Sequence, residues 1–399
     1  MSLYLSSRCT GISPSVTLAV NTRAKQMRAE GKHVYGFAVG EPDFPTPEYI
    51  CDAAREALKL GLTRYTPVAG TKELRGAICD KLERDNNLHY NINEIIACNG
   101  AKQALLNAFV AILNPGDEVL LPTPCWVSYP EIIRMAGGVP IMVKTKEEDG
   151  FLPSLQLLNK LTTPRTKAIV INSPNNPTGC VYPPELIEKL AAFIVEKEIY
   201  AVSDEIYERL IYDGQQHVSI ASFGPQAHKQ TIVVNGLSKT FAMTGWRMGY
   251  AAASADIVHA MEAYQSHATS GPNSIAQYAS YKALQNGVEY IRAMREEYDA
   301  RRKMMVETIG KMDGVSCVVP HGAFYVMLNC KQLIGRKWRG QRIDDDVALA
   351  SMLLDGASVA VVPGEAFCAP GFCRISYAVS REDIEAGLAS IARFVSEVE

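Results

Sequence analysis

Short apolar runs alternate with helical patterns through the middle of the chain. Several of these runs are rich in β-branched residues and show no apolar/polar alternation, which is typical of strands buried on both faces of a mainly parallel sheet. The runs are residues 94–98, 117–121, 139–144, 167–172, 200–203, 231–235 and 248–253. Their order predicts a doubly wound α/β domain of about seven strands.

Apolar positions with a period near 3.6 residues predict amphipathic helices between and after these strands. The clearest are 101–112, 184–196 and 287–311. After Met312 the pattern changes to short strands at 315–319, 323–328, 359–362 and 373–377 and two helices, the last at 381–398. We therefore predict three parts: residues 1–45 as an N-terminal arm with part of a small domain, 46–312 as a large domain, and 313–399 as a smaller α+β domain.

Polar clusters follow four of the predicted strands. In open α/β sheets, ligands bind beyond the carboxyl ends of the strands, so residues placed there meet in one crevice. The clusters are residues 99–102, 173–179, 204–207 and 236–239. The sequence therefore predicts one site built from all four.

Lys239 is the candidate nucleophile of this site. It lies among apolar neighbours at a strand end, where poor hydration lowers the pKa of an ammonium group and frees the amine. An ordinary lysine whose stem covers apolar surface is the alternative for a single residue. Gly100 and Ala101 begin a helix directly after a strand, and their N–H groups favour an anion.

Residues 237–250, LSKTFAMTGWRMGY, match the SKxFAMTGWRxGY signature of the class I aminotransferases, which are pyridoxal-phosphate enzymes of fold type I. Further matches occur in the same order at 38–44, 64–67, 99–103, 122–130, 173–179, 203–208, 361–364 and 374–378. The chain most resembles the prokaryotic-type aspartate aminotransferases and the related prephenate aminotransferases. The resemblance implies an α/β fold with a large domain on a mainly parallel seven-stranded sheet and a smaller α+β domain.

The resemblance also implies a cofactor, pyridoxal 5′-phosphate, held as a Schiff base on Lys239. Asp204 then pairs with the pyridine nitrogen, and Tyr207 and Asn176 donate to the phenolic oxygen, which favours its anionic form. Trp126 stacks on the ring. The phosphate lies among Gly100, Ala101, Lys102, Ser238 and Arg247, with Tyr65 reaching the phosphate of a neighbouring subunit. This last contact implies a homodimer with shared sites, to which 266–271 is a weaker candidate contributor.

For the substrate, the resemblance assigns the α-carboxylate to Arg374 and to the backbone of Gly40. A guanidinium binds a carboxylate through two parallel hydrogen bonds, which fixes the α-carbon relative to the ring. Trp126 and Asn176 also face the substrate. Lys102 lies near either the distal carboxylate of a dicarboxylic substrate or the phosphate. Ser13 stands where relatives often carry a basic residue, which removes one possible contact to an acidic side chain.

The expected activity moves an amino group between aspartate or glutamate and 2-oxo acids such as 2-oxoglutarate by a ping-pong mechanism, with Lys239, Asp204 and Tyr207 as the catalytic residues. The alternatives are prephenate as the amino acceptor, or an aromatic or broad specificity. Residues around Thr66, 99–103 and 160–162 look at least as close to plant prephenate aminotransferases as to aspartate aminotransferases. Lyases and aminocyclopropane-carboxylate synthases share the fold and keep the same lysine and aspartate. A non-catalytic regulator with an aminotransferase-like domain is a further alternative. It would need an N-terminal helix-turn-helix module, and the roughly forty residues before the large domain are expected to be too few for one.

The charge balance and the cysteine positions limit the kinds of ligand, partner and compartment that we expect. Lys and Arg total 40 against 43 Asp and Glu, giving a net charge of −3 over 399 residues, without a basic run for nucleic acid or an apolar run for a membrane. Ten cysteines are scattered singly, without metal-ligand spacing. We therefore expect reduced thiols, no bound metal and a cytoplasmic location.

Overall fold

The computed structural model describes residues 5–12 and 16–399. Its central sheet has seven strands: β1 Ile95–Cys98, β2 Glu118–Thr123, β3 Val139–Lys144, β4 Thr166–Asn172, β5 Tyr200–Asp204, β6 Thr231–Gly236 and β7 Gly249–Ala252. They lie in the order β1-β7-β6-β5-β4-β2-β3. All pairs are parallel except those of β7, which runs antiparallel to β1 and β6. The predicted mainly parallel seven-stranded sheet is confirmed.

Twelve helices precede the second sheet in the described residues: α1 Ser7–Thr10, α2 Val16–Ala29, α3 Glu48–Lys59, α4 Lys72–Asn86, α5 Ala101–Ile112, α6 Ser128–Met135, α7 Leu155–Leu161, α8 Pro184–Glu196, α9 Pro225–Lys229, α10 Ala255–Ala268, α11 Ser274–Gln285 and α12 Val288–Ile309. The helices predicted at 101–112 and 184–196 have those bounds, and α12 covers most of 287–311. Within residues 5–12 and 16–399, none of the helices has both the length and the apolarity to cross a bilayer.

A smaller antiparallel sheet follows. The elements after α12 are β8 Ser316–Cys317, β9 Tyr325–Asn329, β10 Lys337–Trp338, β11 Gln341–Arg342, α13 Asp346–Ala357, β12 Val362–Pro363, β13 Phe372–Ser376 and α14 Arg381–Ser396. The sheet order is β12-β13-β9-β8, while β10 and β11 form a separate hairpin. The strand predicted at 359–362 begins only at Val362, because Val359 pairs instead with Tyr35 of the N-terminal segment in an isolated bridge.

Aromatic packing joins the two sheets at the site. Tyr325 of β9 and the preceding Phe324 are fully buried and pack against Tyr207, which follows β5 of the central sheet. The Tyr207 and Tyr325 hydroxyl oxygens lie 2.9 Å apart. Buried aromatic pairs of this kind stabilise by about 0.5–1.5 kcal/mol beyond the area that they bury. The second sheet is therefore held directly over the carboxyl end of β5.

A buried ionic network joins α4 to the turn that follows β5. The Lys81 ammonium forms a short ion pair with Glu208, and Asn86 Nδ2 donates to the same carboxylate at 2.8 Å. His217 Nε2 lies 3.0 Å from the neighbouring carboxylate of Glu205. Burial alone would raise the pKa of Glu208, but Lys81, His217 and Asn86 together lower it to about 2. Glu208 is therefore charged inside the protein at neutral pH.

We expect Lys81→Met to lower the free energy of unfolding by about 3 kcal/mol at pH 7, because it leaves the Glu208 carboxylate buried and unpaired. A depressed carboxylate pKa stabilises the fold above the unfolded pKa of about 4.3, and that contribution is lost as pH falls towards 2. The difference between the wild type and the variant should therefore shrink below about pH 4 in urea titrations. Lys72→Met, at the exposed start of the same helix, is the control. Equal stabilities at pH 7 would contradict the prediction.

Candidate active site

A cavity of about 590 Å³ lies at the carboxyl ends of β4, β5 and β6, with residues of β13 and α2 also in its wall. Many of the residues singled out in the sequence line it: Gly40, Ala101, Lys102, Trp126, Asn176, Asp204, Tyr207, Ser238, Lys239, Arg247 and Arg374. The strand ends thus bring the predicted polar clusters together, as the position of ligands in open α/β sheets requires.

Lys239 follows β6 and points into this cavity. Its Nζ donates to the carbonyl oxygen of Gly40 at 2.6 Å and lies 5.7 Å from the ring centroid of Phe324. Burial lowers the pKa of Lys239 to about 8, against a smaller opposing effect of Glu41. A substantial fraction of the amine is therefore neutral near physiological pH, which makes it a nucleophile and a base.

Asp204 ends β5 and is fully enclosed. Its Oδ2 accepts a hydrogen bond of 2.7 Å from the Tyr129 hydroxyl, and Oδ1 accepts one of 3.2 Å from the N–H of Ile206. Burial raises the pKa of Asp204 to about 6 although both hydrogen bonds oppose the change. The carboxylate is therefore an anion at pH 7, and a cationic partner in the cavity would stabilise it.

Arg374 of β13 is a buried cation that faces the same cavity with only 2% of its surface exposed. Nη1 donates to Asn176 Oδ1 at 3.0 Å and Nη2 to the carbonyl oxygen of Ala38 at 3.1 Å. Within residues 5–12 and 16–399 it has no carboxylate partner, and its Nε has no acceptor. A buried guanidinium in this state has the charge and the free donor to bind a carboxylate.

The side-chain NH₂ group of Asn176 is available as a hydrogen-bond donor in this arrangement. Its side-chain oxygen accepts from Arg374, and its backbone N–H donates to Asn172 Oδ1 at 2.9 Å. The amide NH₂ group is thereby oriented away from the guanidinium, since two donors do not face each other. Together with the Tyr207 hydroxyl, it supplies donors for an oxygen atom bound in the cavity.

An anion cradle closes the opposite end of the cavity. Gly100 has φ +82° directly before α5, and a Cβ there would lie 2.6 Å from Arg247 Nη2. Arg247 donates to the carbonyl oxygens of Thr244 and Asn99 at 3.0 and 3.4 Å, and the described residues offer it no carboxylate within 4 Å. Among the described residues, no side chain caps the start of α5. Free N–H groups, a helix dipole and a guanidinium together favour a phosphate.

Close backbone packing fixes this cradle. Gly249 of β7 abuts the first turn of α5, so that a Cβ on it would lie 2.3 Å from the backbone nitrogen of Ala101. Any side chain at position 249 would displace the helix end, because backbone atoms cannot move aside as a flexible side chain can. The position of the α5 N–H groups therefore depends on a glycine in a neighbouring strand.

Two predicted site residues are not among the residues that line the cavity, Tyr65 and Gly100. Tyr65 is on the surface, with 99% of its area exposed, beside Thr66, which a Cβ on Gly271 would meet at 3.0 Å. The Tyr65 loop and segment 266–271 are thus neighbours. Gly100 lies behind Ala101 rather than in the cavity lining. Ser13 lies outside the described residues.

Sequence reasoning missed several residues of the cavity. Tyr129 holds Asp204, and its signal was its position one helical turn after Trp126. Tyr325 contacts both Tyr207 and Arg374, at 4.3 Å from ring centroid to guanidinium carbon in the latter case. Helix α2 adds polar and basic groups to the wall, for which no motif gave a signal: Asn21, Thr22, Lys25 and Arg28.

Comparison with known proteins places this geometry in a family. The family model described as aminotransferase class I and II matches residues 32–391. The aspartate aminotransferase of Streptomyces avermitilis is 44% identical over 98% of this chain and 97% of its own. The aspartate/prephenate aminotransferase of Thermus thermophilus is 45% identical over 98% of each chain.

Solved structures agree over the whole length. The aspartate aminotransferase from Rhizobium meliloti superposes with a TM-score of 0.96 at 39% identity, covering 100% of both chains. The aspartate aminotransferase from Thermus thermophilus with maleate superposes with a TM-score of 0.93 at 45% identity, covering 98% of this chain and 100% of its own. The chain therefore belongs to the class I and II aminotransferases and is an aminotransferase.

Proposed function

We propose that this enzyme uses pyridoxal 5′-phosphate to transfer amino groups from aspartate or glutamate to 2-oxo acids. The proposal rests on one cavity that holds the half-buried amine of Lys239 and the buried guanidinium of Arg374, which has no carboxylate partner among the described residues. The first suits an aldehyde and the second suits the α-carboxylate common to amino acids and 2-oxo acids.

The residues of the cavity fit pyridoxal phosphate at each of its polar groups. The Asp204 carboxylate, whose pKa is raised by burial, suits a protonated ring nitrogen. The Tyr207 hydroxyl and the Asn176 amide suit the phenolic oxygen. The start of α5, Ser238 and Arg247 suit the phosphate, and the indole of Trp126 offers a flat face to the ring. When bound, the cofactor supplies an aldehyde for amines and a protonated ring that withdraws electrons from the substrate α-carbon.

The chain's own residues then divide the work. Arg374 binds the substrate carboxylate and fixes the direction of the α-carbon–hydrogen bond. With the cofactor bound, the Lys239 amine would take the proton from the substrate α-carbon as a general base. As a general acid it would then return the proton to the C4′ atom of the cofactor. Asp204 holds the proton of the ring nitrogen throughout. The aromatic residues Phe324 and Tyr325 exclude water around the amine, which keeps its pKa low.

Lys102 supports a pocket that binds the acidic side chain of the substrate. Its Nζ lies 4.9 Å from the ring centroid of Trp126, and burial, followed by Arg247, lowers its pKa. The nearby α2 wall adds the ammonium of Lys25. The Thermus thermophilus structure is described with maleate, a four-carbon dicarboxylate. These observations favour dicarboxylic substrates, and the name of the Thermus thermophilus relative makes prephenate a second acceptor to test.

A panel of amino donors and acceptors tests the proposed function. The purified enzyme with pyridoxal phosphate is incubated with aspartate, glutamate or phenylalanine and with 2-oxoglutarate, oxaloacetate or prephenate. We expect aspartate and 2-oxoglutarate to give glutamate and oxaloacetate in equal amounts, with parallel lines in double-reciprocal plots. Release of ammonia without a new amino acid would instead indicate a lyase, and activity confined to prephenate would shift the assignment to the second acceptor.

We expect Lys102→Gln to lower kcat/KM for aspartate about tenfold more than for phenylalanine, which is roughly 1.4 kcal/mol of charge-assisted binding to the distal carboxylate. The measurement compares kcat/KM for both donors in the variant and the wild type. Lys189→Gln, on the exposed face of α8, is the control. An equal loss for both donors would place Lys102 at the phosphate and remove it from substrate recognition.

We also propose a homodimer and a cytoplasmic location. Support for the dimer comes from Tyr65, a large aromatic side chain that is 99% exposed beside the phosphate-side segment 266–271. The scattered, unpaired cysteines support a reducing compartment. Light scattering coupled to size-exclusion chromatography tests the dimer, since a mass near 43.7 kDa would contradict it.

A further inference from the structure

Two cysteines from distant parts of the chain meet beside the cavity. Cys125 lies between β2 and α6, directly before Trp126, and Cys368 lies in the turn between β12 and β13. The N–H of Cys125 donates to the carbonyl oxygen of Phe367 at 3.1 Å. That carbonyl belongs to the peptide unit of Cys368, so covalent geometry keeps the two α-carbons within roughly 7 Å. Disulfides join α-carbons about 4.4–6.8 Å apart.

The side chains of this pair also meet. Interaction with the Cys125 thiol, with a smaller effect of Arg134, lowers the pKa of Cys368 to about 7. The same contact and burial raise the pKa of Cys125. Cys125 is 1% exposed, whereas Cys368 is partly exposed. One sulfur is thus accessible and readily ionised, and its resolving partner lies behind it.

We propose that Cys125 and Cys368 form a reversible disulfide that acts as a redox modification site next to the active site. The oxidant is a low-molecular-weight disulfide such as oxidised glutathione. The Cys368 thiolate attacks one sulfur of that molecule and releases one thiolate. Cys125 then attacks Cys368, and the second external sulfur leaves as a thiol with the proton of Cys125. Two protein thiols are oxidised and one external disulfide is reduced to two thiols.

The bond acts on the site through the immediate neighbours of both cysteines. Trp126 lines the cavity, and the ring centroid of Phe367 lies 5.0 Å from the guanidinium carbon of Arg374. A disulfide links the segment that carries the indole to the turn that packs on the substrate-binding arginine. Oxidation therefore restrains two walls of the cavity relative to each other, and turnover falls.

A second cysteine pair provides an internal control. Cys330 and Cys373 also interact, which raises the pKa of Cys373, but both are completely buried. An external disulfide cannot reach either sulfur while the protein is folded. The two pairs thus share direct contact and differ in access, which is the property that the proposal makes decisive.

The experiment treats the holoenzyme with oxidised glutathione at pH 8, blocks remaining thiols with N-ethylmaleimide and identifies cross-linked peptides by mass spectrometry. We expect the Cys125–Cys368 cross-link in the wild type and in Cys373→Ser, and its absence in Cys368→Ser. The kcat/KM for aspartate should fall at least fivefold on oxidation, return with dithiothreitol and stay constant in Cys368→Ser.

Two results would overturn the proposal. One is recovery of both thiols as maleimide adducts, or of Cys368 carrying only glutathione, after full treatment. The other is a fully cross-linked enzyme with unchanged kcat/KM, which would remove the effect on the site. Because the cross-link is read from peptide masses, its failure is distinguishable from a failure of the proposed transamination, which the untreated enzyme reports.

Discussion

Lys239→Ala is expected to lower kcat by at least about a thousandfold, because the same amine attaches the cofactor aldehyde and moves the substrate proton. Loss of general base catalysis alone accounts for roughly 10²–10⁴-fold. The variant should also lose the pH-sensitive absorbance of the bound cofactor, since that band requires the nitrogen of Lys239. Steady-state kinetics and absorbance between pH 5 and 9 check both expectations.

A matched control separates this effect from a folding defect. Lys229→Ala, at the exposed end of α9, removes a lysine remote from the cavity and should leave kcat unchanged. Removing the half-buried Lys239 should not lower the melting temperature, because desolvation already disfavours its charged form. Normal transamination by folded Lys239→Ala would exclude this lysine as the reactive amine.

Arg374→Ala is expected to lower kcat/KM for every amino acid by about 30- to 800-fold, or roughly 2 to 4 kcal/mol. The α-carboxylate loses a buried, charge-assisted partner, and the loss does not depend on the substrate side chain. Much of the effect should fall on KM, because the carboxylate is bound before the chemical step. Kinetics with aspartate, glutamate and alanine measure the loss.

The control for this variant removes an arginine that lies on the surface. Arg381→Ala, at the start of α14, breaks an exposed pair with Glu297 and should leave kcat/KM unchanged. Lysine at position 374 would keep the charge but not the planar fork, so it should recover only part of the lost affinity. A loss confined to aspartate and glutamate would move Arg374 to the side-chain pocket.

The sequence predicted the central sheet well for a physical reason. Strands buried on both faces need continuous apolar runs, and β2 and β6 are buried at every position, so their pattern is distinct from that of an amphipathic helix. Strand ends then located Asp204, Asn176 and Lys239, because ligands bind at those ends. Short strands such as β12 were located less well, since their bounds depend on pairing with a distant segment.

Contacts between distant residues could not be predicted in this way. The hydrogen bond from Tyr129 to Asp204 and the pairing of Tyr207 with Tyr325 join residues 75 and 118 positions apart. No local pattern records such pairs, because they arise only when separate elements pack. The division into an arm, a large domain and a small domain stays a prediction, as do the individual roles of the site residues.

The contact between Gly249 and the first turn of α5 bears on how the enzyme can diversify. With no space for even a methyl group there, position 249 beside the start of α5 is closed to substitution, whereas the α2 wall carries Asn21, Thr22 and Lys25 on a separate helix. Mutant libraries that seek new amino donors should leave position 249 as glycine and vary α2. Substrate range can then change without disturbing cofactor affinity.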